Sequence, residues 1–440
     1  MSRRGRAGKL PLWRGPAWRL PGGRGPLGRA LAHRDIRLFF SASLLAWTGL
    51  WMQRIAVSWL AWELTGSAFW VGVVAFADLA PAIIISPIAG ALADRVDRVR
   101  MATLTQILTA IQASVVAGLT AAGVMSIELL IALELLAGII SSFTQPARQS
   151  LMPGLAPAAD LPAAVALNSL CFNLARFLGP ACAGPLIAAY GVVPAIACNA
   201  VAFAVAAGTM PLLRIAATAR RGHAATASLF SEVAEGITYA ARHPGLGPLL
   251  LYASLTATLL RGVQEILPPY VEQVFGRGAE SLAMLTAAFG VGALVTGLLV
   301  AARGRLEGTT TLAIGAIGVQ ALATAAFCAT GWFPLGLVCA AVMGGSASVH
   351  GISVQMLAQS ASDASMRGRI LSLWGLITRA GPAVGALALG AAGQAFGLRL
   401  PTLVFAGLSL VVLAWGLLRR RQIAAALEHP VPRDKVTENL

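Results

Sequence analysis

Long apolar runs separated by short polar turns recur along the whole chain. Runs of about 20 residues are long enough to cross a bilayer as helices. Reading them between charge clusters and Gly/Pro breaks predicts twelve spans: residues 37–61, 70–92, 101–123, 127–149, 162–189, 193–213, 247–271, 282–302, 309–330, 332–357, 370–396 and 400–418. The runs are rich in Ala, Leu and Gly and lack the strand alternation of an outer-membrane barrel. The pattern therefore predicts an all-α polytopic membrane protein.

One connection is much longer than the others and divides the spans into two groups of six. It covers residues 214–246 and predicts a cytoplasmic linker with an amphipathic helix around Phe230, Val233, Ile237 and Ala240. The predicted organisation is a basic tail at 1–35, a six-helix bundle at 36–213, the linker at 214–246, a second six-helix bundle at 247–418 and a second tail at 419–440.

Composition excludes a soluble globule. Hydrophobic residues make up 57% of the 440 and charged residues 12%, about half the charged share of an average soluble domain. The net charge of +15 would suit nucleic acid, but nine of the 33 basic residues lie in the first 34 positions, among Gly and Pro and without an acidic residue. Such a segment is typical of a disordered cytoplasmic tail whose partners are anionic membrane lipids, with no nucleic acid.

Arginines are distributed unevenly between the two sets of predicted loops. With a cytoplasmic N-terminus, twelve arginines, Arg148 among them, fall in inside loops, whereas the outside loops hold Arg277 and Arg399. Cytoplasmic loops carry the excess of basic residues in membrane proteins. Both termini are therefore predicted to face the cytoplasm.

Sequence signals for catalysis are missing. The chain has no Walker loop and no H-E-x-x-H motif. Its five cysteines all lie in apolar runs without a C-x-x-C pair, which indicates packing residues, with neither a disulfide nor a metal site. We expect no enzyme activity, no cofactor and no metal, and an ion gradient, with protons as the expected ion, or passive flow to drive any transport.

The two halves of the chain echo one another. Residues 90–98 (GALADRVDR) close span 2, and residues 297–305 (GLLVAARGR) close span 8 with the same glycine-to-arginine spacing. Residues 176–180 (RFLGP) in span 5 resemble residues 379–382 (RAGP) in span 11. Parallel six-helix repeats of this kind are typical of one large class of transporters.

Several segments resemble the major facilitator superfamily. Gly90, Asp94, Arg95 and Arg98 are similar to its loop 2–3 signature, Gly-x-x-x-Asp-Arg-x-Gly-Arg-Arg, although Asp97 replaces the glycine and Val99 the last basic residue. Four further segments resemble the branch that contains the enterobactin exporters and the transmembrane secretion effectors: residues 59–67 (WLAWELTGS), 146–153 (PARQSLMP), 166–169 (ALNS) and 266–276 (ILPPYVEQVFG).

The resemblance covers about residues 35–418. It implies the major facilitator fold, twelve helices in two six-helix repeats, and a cytoplasmic gate at Gly90, Asp94, Arg95 and Arg98. In such a gate, Asp94 caps a facing helix, pairs with an arginine and holds the cytoplasmic side shut. Without the resemblance, the same residues are equally well explained as a solvated turn that obeys the positive-inside rule.

Seven charged residues lie well inside the predicted spans, away from the span ends, where ionisable groups are costly and normally face a cavity or a partner. They are Arg54, Asp78, Glu134, Arg176, Arg261, Glu265 and Arg379. None falls on spans 3, 6, 9 or 12, the four helices that are peripheral in the fold that the chain resembles. The charges therefore predict a polar pathway between the inner helices.

Depth along the spans suggests how three of these charges are used. Arg54, Asp78 and Glu134 lie about 10–12 Å from the outer ends of their spans and are expected to form one cluster. The cluster is either a structural salt bridge or the site at which Asp78 or Glu134 carries a proton. Glu265 is a further proton candidate, and it is expected to pair mainly with Arg261, four residues earlier on the same face.

Arg176 and Arg379 have no acidic neighbour in their own spans. They come from opposite halves, and with Arg54 and Arg261 they are the substrate-pathway candidates, since a guanidinium binds carboxylate or phenolate through two hydrogen bonds. The alternative is that both bind backbone carbonyls near Pro180 and Pro382.

Other polar and aromatic residues in the spans have two interpretations each. His350 either carries a proton or is a hydrogen-bonded packing residue. Trp47 and Trp51 are candidate cavity walls for aromatic cargo, and Trp62 and Trp70 are predicted membrane-interface anchors. Glycines in spans 8 and 10 are expected to permit close helix approach, namely Gly290, Gly292, Gly297, Gly344 and Gly345.

These patterns predict a secondary active transporter in a bacterial cytoplasmic membrane. The expected activity is export of a small amphiphilic compound, such as a siderophore, drug or metabolite, in exchange for protons by alternating access. Export follows from the resemblance more than from the residues. An importer of the same fold and a non-transporting membrane receptor or scaffold are the alternatives.

Overall fold

The computed structural model describes residues 26–85, 89, 92, 96–155, 160–214, 229–303, 305–363 and 366–428. Within these ranges the chain is helical and contains no strand. The long helices are α1 (Arg34–Thr65), α2 (Ala68–Ile85), α3 (Arg98–Ala121), α4 (Ile127–Leu155), α5 (Leu161–Tyr190), α6 (Val192–Thr209), α7 (Leu246–Glu265), α8 (Ala279–Arg303), α9 (Thr309–Ala329), α10 (Phe333–Ala361), α11 (Arg367–Phe396) and α12 (Arg399–Leu427).

Eleven of these helices, α2 to α12, are long and apolar enough to cross a membrane in the part of the chain that the structure describes. The remaining helix, α1, is 32 residues long and carries several charged residues, Arg34, Asp35, Arg37, Arg54 and Glu63. It occupies the position of the first predicted span. The fold is thus the predicted all-α polytopic membrane fold, with a helix count that agrees with twelve spans.

Span 7 departs from the prediction of one unbroken helix over residues 247–271. α7 ends at Glu265, Ile266 leaves the helical conformation with φ −117° and ψ 39°, and a short helix follows at Leu267–Gln273. Pro268 and Pro269 provide the reason, because proline lacks the N–H that would continue the hydrogen-bond ladder of α7 and suits the first turn of a new helix.

The boundaries of the two predicted tails also differ from the prediction. The tail at 1–35 falls largely outside the described residues, but its last part is ordered as a short helix, Pro26–Ala30, and the start of α1. Asp160 holds this part through Arg29 at 3.5 Å and His33 at 3.3 Å. α12 continues nine residues beyond the predicted end at 418, because Ile423 and Leu427 are buried in a cluster with Ala240 and Leu246.

The linker contains a helix, Leu229–Arg242, where an amphipathic helix was predicted. Ala240 is buried and Ile237 is exposed, while the side chains of Phe230 and Val233 lie outside the described set. Glu235 forms an ion pair with Arg369 of α11 at 2.7 Å. The linker helix is therefore attached to the second half of the protein.

The two halves, α1–α6 and α7–α12, meet through α2 against α11 and α5 against α8. Small residues make these crossings possible. A Cβ atom on Gly72 would lie 2.6 Å from the carbonyl oxygen of Ala386, and one on Gly390 would lie 2.6 Å from that of Ala68. Any side chain at these glycines would push α2 and α11 apart.

Glycines also bring α8 and α10 into close contact, as predicted. A Cβ atom on Gly292 would collide with the carbonyl oxygen of Ala341, and one on Gly344 would collide with that of Phe289. The two helices therefore pack backbone against backbone within the second half.

The apolar core differs between the two sides of the bundle. We call the side where α1 begins and α12 ends the base, and the side where α1 meets α2 the crown. At the crown, one cluster of buried residues joins both halves, from Leu60 and Val71 to Leu282 and Leu389. Away from the crown, the described residues form four clusters, two within each half, and none of these four joins the halves.

Candidate functional site

A cavity of about 320 Å³ lies between the two halves. All seven charged residues that the sequence placed inside the spans line it: Arg54, Asp78, Glu134, Arg176, Arg261, Glu265 and Arg379. The volume lies at the small end of the range of about 300–1,000 Å³ for small-molecule sites. The predicted polar pathway between the inner helices is therefore present.

Arg54 connects the two halves on the crown side of the cavity. Its Nη2 atom donates to Glu265 Oε2 at 3.0 Å and forms an ion pair with Asp78 Oδ2 at 3.6 Å. The expectation that Glu265 pairs mainly with Arg261 is wrong, because the guanidinium of Arg54 on the facing helix takes its carboxylate. Arg261 lines the cavity without an ion pair in the described ranges.

Glu134 has different neighbours from those predicted. It is 7% exposed and accepts a hydrogen bond from Gln112 Nε2 at 3.4 Å, and it forms no ion pair with Arg54 within the described structure. Gln112 accepts from Gln53 at 3.2 Å, and Gln53 accepts from Asn199 at 2.6 Å. The predicted cluster of three is thus an Arg54–Asp78 pair beside a carboxyl group on a buried chain of amides.

The amide chain was missed by reasoning from charge alone. Gln53, Gln112 and Asn199 are uncharged but lie in the middle of apolar spans, where a polar side chain is costly unless it is hydrogen-bonded. Their positions in α1, α3 and α6 were the available signal. Through Gln112 and Asn199, these amides also bring α3 and α6 into contact with the site, although predicted spans 3 and 6 contain no charged residue.

Arg176 and Arg379 each reach across the boundary between the halves. Arg176 Nη2 donates to Gln264 Oε1 at 3.3 Å, and its guanidinium carbon lies 5.4 Å from the ring centre of Trp51. Arg379 Nη1 donates to Ser141 Oγ at 3.5 Å. Neither guanidinium has an ion-pair partner or a backbone carbonyl partner in the ranges that the structure describes.

Arg148 is a further cavity residue that the sequence placed in a cytoplasmic loop. It lies within α4, is 4% exposed and lines the cavity. Its Nη2 atom donates to Ser43 Oγ at 2.5 Å, and its guanidinium carbon lies 4.6 Å from Trp47 and 5.2 Å from Phe39. Arg148 is the second-last residue of predicted span 4 and was counted with the loop that follows; this assignment failed because α4 continues to Leu155, six residues beyond the predicted end of the span.

Positively charged side chains outnumber negatively charged ones in the cavity lining. Five arginines face three acidic residues in its lining. The buried Nε1 of Trp51 and Nε2 of Gln264 also donate to no partner in the described structure. The site therefore suits a ligand that supplies oxygen acceptors or negative charge.

The remaining sequence candidates fall into different environments. His350 is buried away from the cavity lining, with Nδ1 3.0 Å from the carbonyl oxygen of Ala313, as expected of a packing residue. Trp47 and Trp51 line the cavity as predicted. Trp62 is buried and donates to Glu272 of the other half, so its assignment as an interface anchor is wrong. Trp70 is half-buried against Phe69.

The gate signature is only partly within the described structure. Gly90, Asp94 and Arg95 lie outside the described residues, and Arg98 is the first residue of α3. Asp97, which replaces the signature glycine, caps this helix by accepting from the backbone N–H groups of Val99 at 2.8 Å and Arg100 at 3.1 Å. The departure from the signature thus has a local role.

No group of three or more His, Cys, Asp or Glu residues that could hold a metal occurs among the residues described. Cys171, Cys182, Cys198, Cys328 and Cys339 are free thiols.

A helical bundle of two six-helix halves with a charged cavity between them defines a membrane transporter of the major facilitator class. The family model of the transmembrane secretion effectors, a branch of that superfamily, matches residues 28–440. The chain therefore belongs to the transmembrane secretion effector family of major facilitator transporters.

Curated relatives include transporters of several named kinds. The chain is 33% identical to the staphyloferrin A transporter of Staphylococcus aureus over 158 residues, which cover 35% of this chain and 39% of that protein. It is 27% identical to the multidrug efflux pump Tap of Mycolicibacterium fortuitum over 86% of this chain and 93% of Tap. It is 22% identical to macrolide efflux protein A of Streptococcus pyogenes over 74% of this chain and 80% of that protein.

Solved structures agree on the fold. A mutant of the peptide transporter POT in complex with sulfate matches with a TM-score of 0.73 and 12% identity, covering 90% of this chain and 96% of that one. A bacterial homologue of the human lysosomal transporter Spinster, in an inward-facing and unoccupied conformation, matches with a TM-score of 0.69 and 14% identity, covering 90% and 99%.

Proposed function

We propose that this protein exports a small amphiphilic compound bearing an acidic or phenolic group, in exchange for protons, by alternating access. The observation that carries the proposal is the excess of arginine in a cavity between the two halves. Arg176 and Arg379 come from opposite halves, and their hydrogen-bond partners in the described structure, Gln264 and Ser141, are neutral. An anion bound between them would supply a negatively charged partner for both guanidinium groups.

The binding chemistry of the cargo follows from the same groups. A guanidinium presents a planar fork of donors that matches a carboxylate or a phenolate, and Trp51 lies against both Arg54 and Arg176. Trp51 and Gln264 each add a donor without a partner in the described residues. An aromatic ring stacked on Trp51 with its anionic group toward the arginines would use all of these features.

The direction of transport is supported by the relatives. Tap and macrolide efflux protein A are named efflux proteins, and both match over most of their lengths. In the proposed orientation the base faces the cytoplasm of a bacterial cell, with both termini inside, as the distribution of arginines predicts. The separate apolar clusters at the base then correspond to a cavity that faces the cytoplasm, with the crown closed.

Proton coupling is assigned to the three acidic residues of the cavity. Asp78 and Glu265 share Arg54: protonation of Glu265 weakens a contact between the halves, and protonation of Asp78 removes the counter-charge that holds Arg54 within its own half. Glu134 is the most buried of the three and has an amide rather than an arginine as its hydrogen-bond partner. Asp94, Arg95 and Arg98, with Gly90, are proposed to close the base in the opposite state.

Transport assays in inside-out membrane vesicles test the cargo assignment. With a proton gradient imposed, we expect wild-type vesicles to accumulate salicylate, an aromatic anion, and Arg176→Gln and Arg379→Gln to reduce its accumulation about tenfold each. Lysine at either position should restore little, because a point charge lacks the guanidinium fork. Ethidium, a cation, serves as the control cargo and should be affected little.

The same vesicles separate coupling from binding. Asp78→Asn, Glu134→Gln and Glu265→Gln are compared for gradient-driven accumulation and for salicylate exchange at equal pH. Neutralising the proton carrier should abolish accumulation and leave exchange, since exchange needs no net protonation. Retention of pH-dependent accumulation by all three variants contradicts the coupling proposal. Uptake only in right-side-out vesicles indicates an importer. A receptor or scaffold would transport salicylate in neither orientation, and the intramembrane charges would be dispensable for its function.

A further inference from the structure

A buried cation on the base side of the cavity, Arg148, has no acidic partner among the described residues. Arg148 is 4% exposed and lies on the cavity wall, yet in the described part of the chain it contacts one hydroxyl and two aromatic rings and no carboxylate. Burying a charge is costly unless it is paired and fully hydrogen-bonded. The positive charge of Arg148 is therefore available to a ligand.

The surroundings of Arg148 define what such a ligand would meet. The rings of Trp47 and Phe39 lie 4.6 and 5.2 Å from its guanidinium carbon. Ser43 donates its hydroxyl hydrogen to the carbonyl oxygen of Phe39, so its oxygen accepts from Arg148. The Nε atom of Arg148 has no partner among the described residues. An anionic oxygen beside two aromatic rings fits this combination of an incompletely used donor edge and apolar walls.

This group of residues is distinct from the central cluster. Ser43 lies eleven residues before Arg54 on α1, which places it about 16 Å nearer to the base. Arg148 lies fourteen residues after Glu134 on α4, about 21 Å along that helix. A ligand at Arg148 is therefore too far away to share the carboxylates of Asp78, Glu134 or Glu265.

We propose that Arg148, with Ser43, Trp47 and Phe39, forms a second anion-binding subsite, specific for the carboxylate or phenolate of a planar aromatic anion. The subsite receives the anion from the base before it moves to Arg176 and Arg379. The order of the two subsites rests on the proposed function, whereas binding at Arg148 does not. The competing explanation is that Arg148 only braces α4 against α1.

Equilibrium binding of salicylate to the purified protein tests the subsite. The measurement is made first in the Arg176→Gln/Arg379→Gln double variant, which lacks the proposed central site. We expect this variant to bind salicylate through Arg148 and to bind its neutral isostere salicylamide at least tenfold more weakly. Adding Arg148→Gln should reduce the salicylate affinity about tenfold or more, the loss typical of a hydrogen bond to a charged group.

A second substitution tests the subsite independently, in case Arg148→Gln misfolds. Ser43→Asp places a carboxylate where Ser43 Oγ now lies 2.5 Å from Arg148. It should satisfy the guanidinium internally, keep α1 and α4 together, and abolish salicylate binding at this subsite. Arg100→Gln is the matched control, because Arg100 is exposed at the base and its loss removes the same charge outside the cavity.

The outcomes separate the subsite from the proposed function. Salicylate binding that the double variant loses entirely, or that survives both Arg148→Gln and Ser43→Asp unchanged, overturns the subsite. Binding that falls with these substitutions supports it even if wild-type vesicles fail to export salicylate, which would count against the proposed function alone. Should the double variant not remain monodisperse, the same substitutions in the wild-type protein should reduce bound salicylate from two molecules to one.

Discussion

The crown and the base are held together by different means. At the crown, one apolar cluster spans both halves, and polar contacts between the halves include those of Arg54 with Glu265, Trp62 with Glu272, and Ser67 with Gln394. At the base, each apolar cluster of the described residues lies within one half. In the described part of the chain, the apolar core therefore joins the halves on one side of the cavity and is divided on the other.

In the alternating-access cycle proposed above, this difference indicates which contacts oppose opening of the crown. Closing the base and opening the crown would break the crown contacts, so in that cycle these contacts set the population of the two states. Each crown contact has one partner in either half, and two of them involve a carboxylate. Changes at the crown should therefore shift the state, whereas changes confined to the base should act locally.

The largest effect is expected from Gly72→Val. A Cβ atom at Gly72 meets the carbonyl oxygen of Ala386 at 2.6 Å, and overpacking of this kind costs about 2 kcal/mol. The closed crown should lose about thirtyfold in relative population. A cysteine introduced at Ser58 in the cavity lining, in a background without the native cysteines, should react faster with an impermeant maleimide added from the crown side.

Gly118→Val is the control for this substitution. Gly118 lies on α3 with no atom within 4 Å of the added Cβ position, so the same chemical change meets open space. Equal labelling of Ser58→Cys in the Gly72 and Gly118 variants, both properly inserted, would mean that the α2–α11 crossing does not hold the crown closed.

A smaller shift in the same direction is expected from Glu265→Gln. It removes the hydrogen-bonded partner of Arg54 in the other half and leaves Asp78 at 3.6 Å in the same half. Because these side chains are 23–31% exposed, screening limits the effect, and we expect about a tenfold rise in crown-side labelling of Ser58→Cys.

Glu280→Gln controls for loss of a carboxylate at the crown, since Glu280 is exposed at the start of α8. A double-mutant cycle with Arg54→Gln isolates the pair. If the Glu265 and Arg54 substitutions prove additive, the ion pair between the halves contributes nothing to the closed crown.

Much of the fold could be predicted from the sequence, because each span is marked by a local apolar run. The local pattern also contained the break at Ile266, in the form of Pro268 and Pro269, and this was overlooked. The partner of Glu265 could not be read in this way: Arg54 lies 211 residues earlier, whereas Arg261 is one helical turn away. Local spacing favours the near partner, and only packing of the halves decides for the distant one.

The candidate site shows the same difference between what local sequence patterns predict and what tertiary contacts decide. Burial cost identified seven of the eight charged lining residues, since each of the seven interrupts an apolar run. It did not identify Arg148, because the hydrophobic run ends beside it while the helix continues. Nor did it identify Gln53, Gln112 and Asn199, whose partners lie on other helices. Residue type and depth predict which residues face the cavity, and tertiary contacts decide what each of them binds.

The smallest effect is expected at the base, from Asp97→Ala. Asp97 accepts hydrogen bonds from the backbone N–H groups of Val99 and Arg100 at the start of α3. Loss of an N-cap costs about 1 kcal/mol, whereas glycine at the same position costs only a few tenths. Asp97→Ala should therefore speed hydrogen exchange of these two amides about fivefold, and Asp97→Gly, which restores the residue of the family signature, should change it little.

Asp97→Asn provides the matched control, because asparagine caps a helix about as well as aspartate. All three variants should leave crown-side labelling of Ser58→Cys unchanged, since Asp97 contacts no residue of the crown in the described structure. Faster labelling in Asp97→Ala alone would show that the start of α3 is coupled to the crown, and the two sides could then no longer be treated as independent. Unchanged exchange at Val99 and Arg100 would instead remove Asp97 as the cap and leave its place in the signature without a structural role.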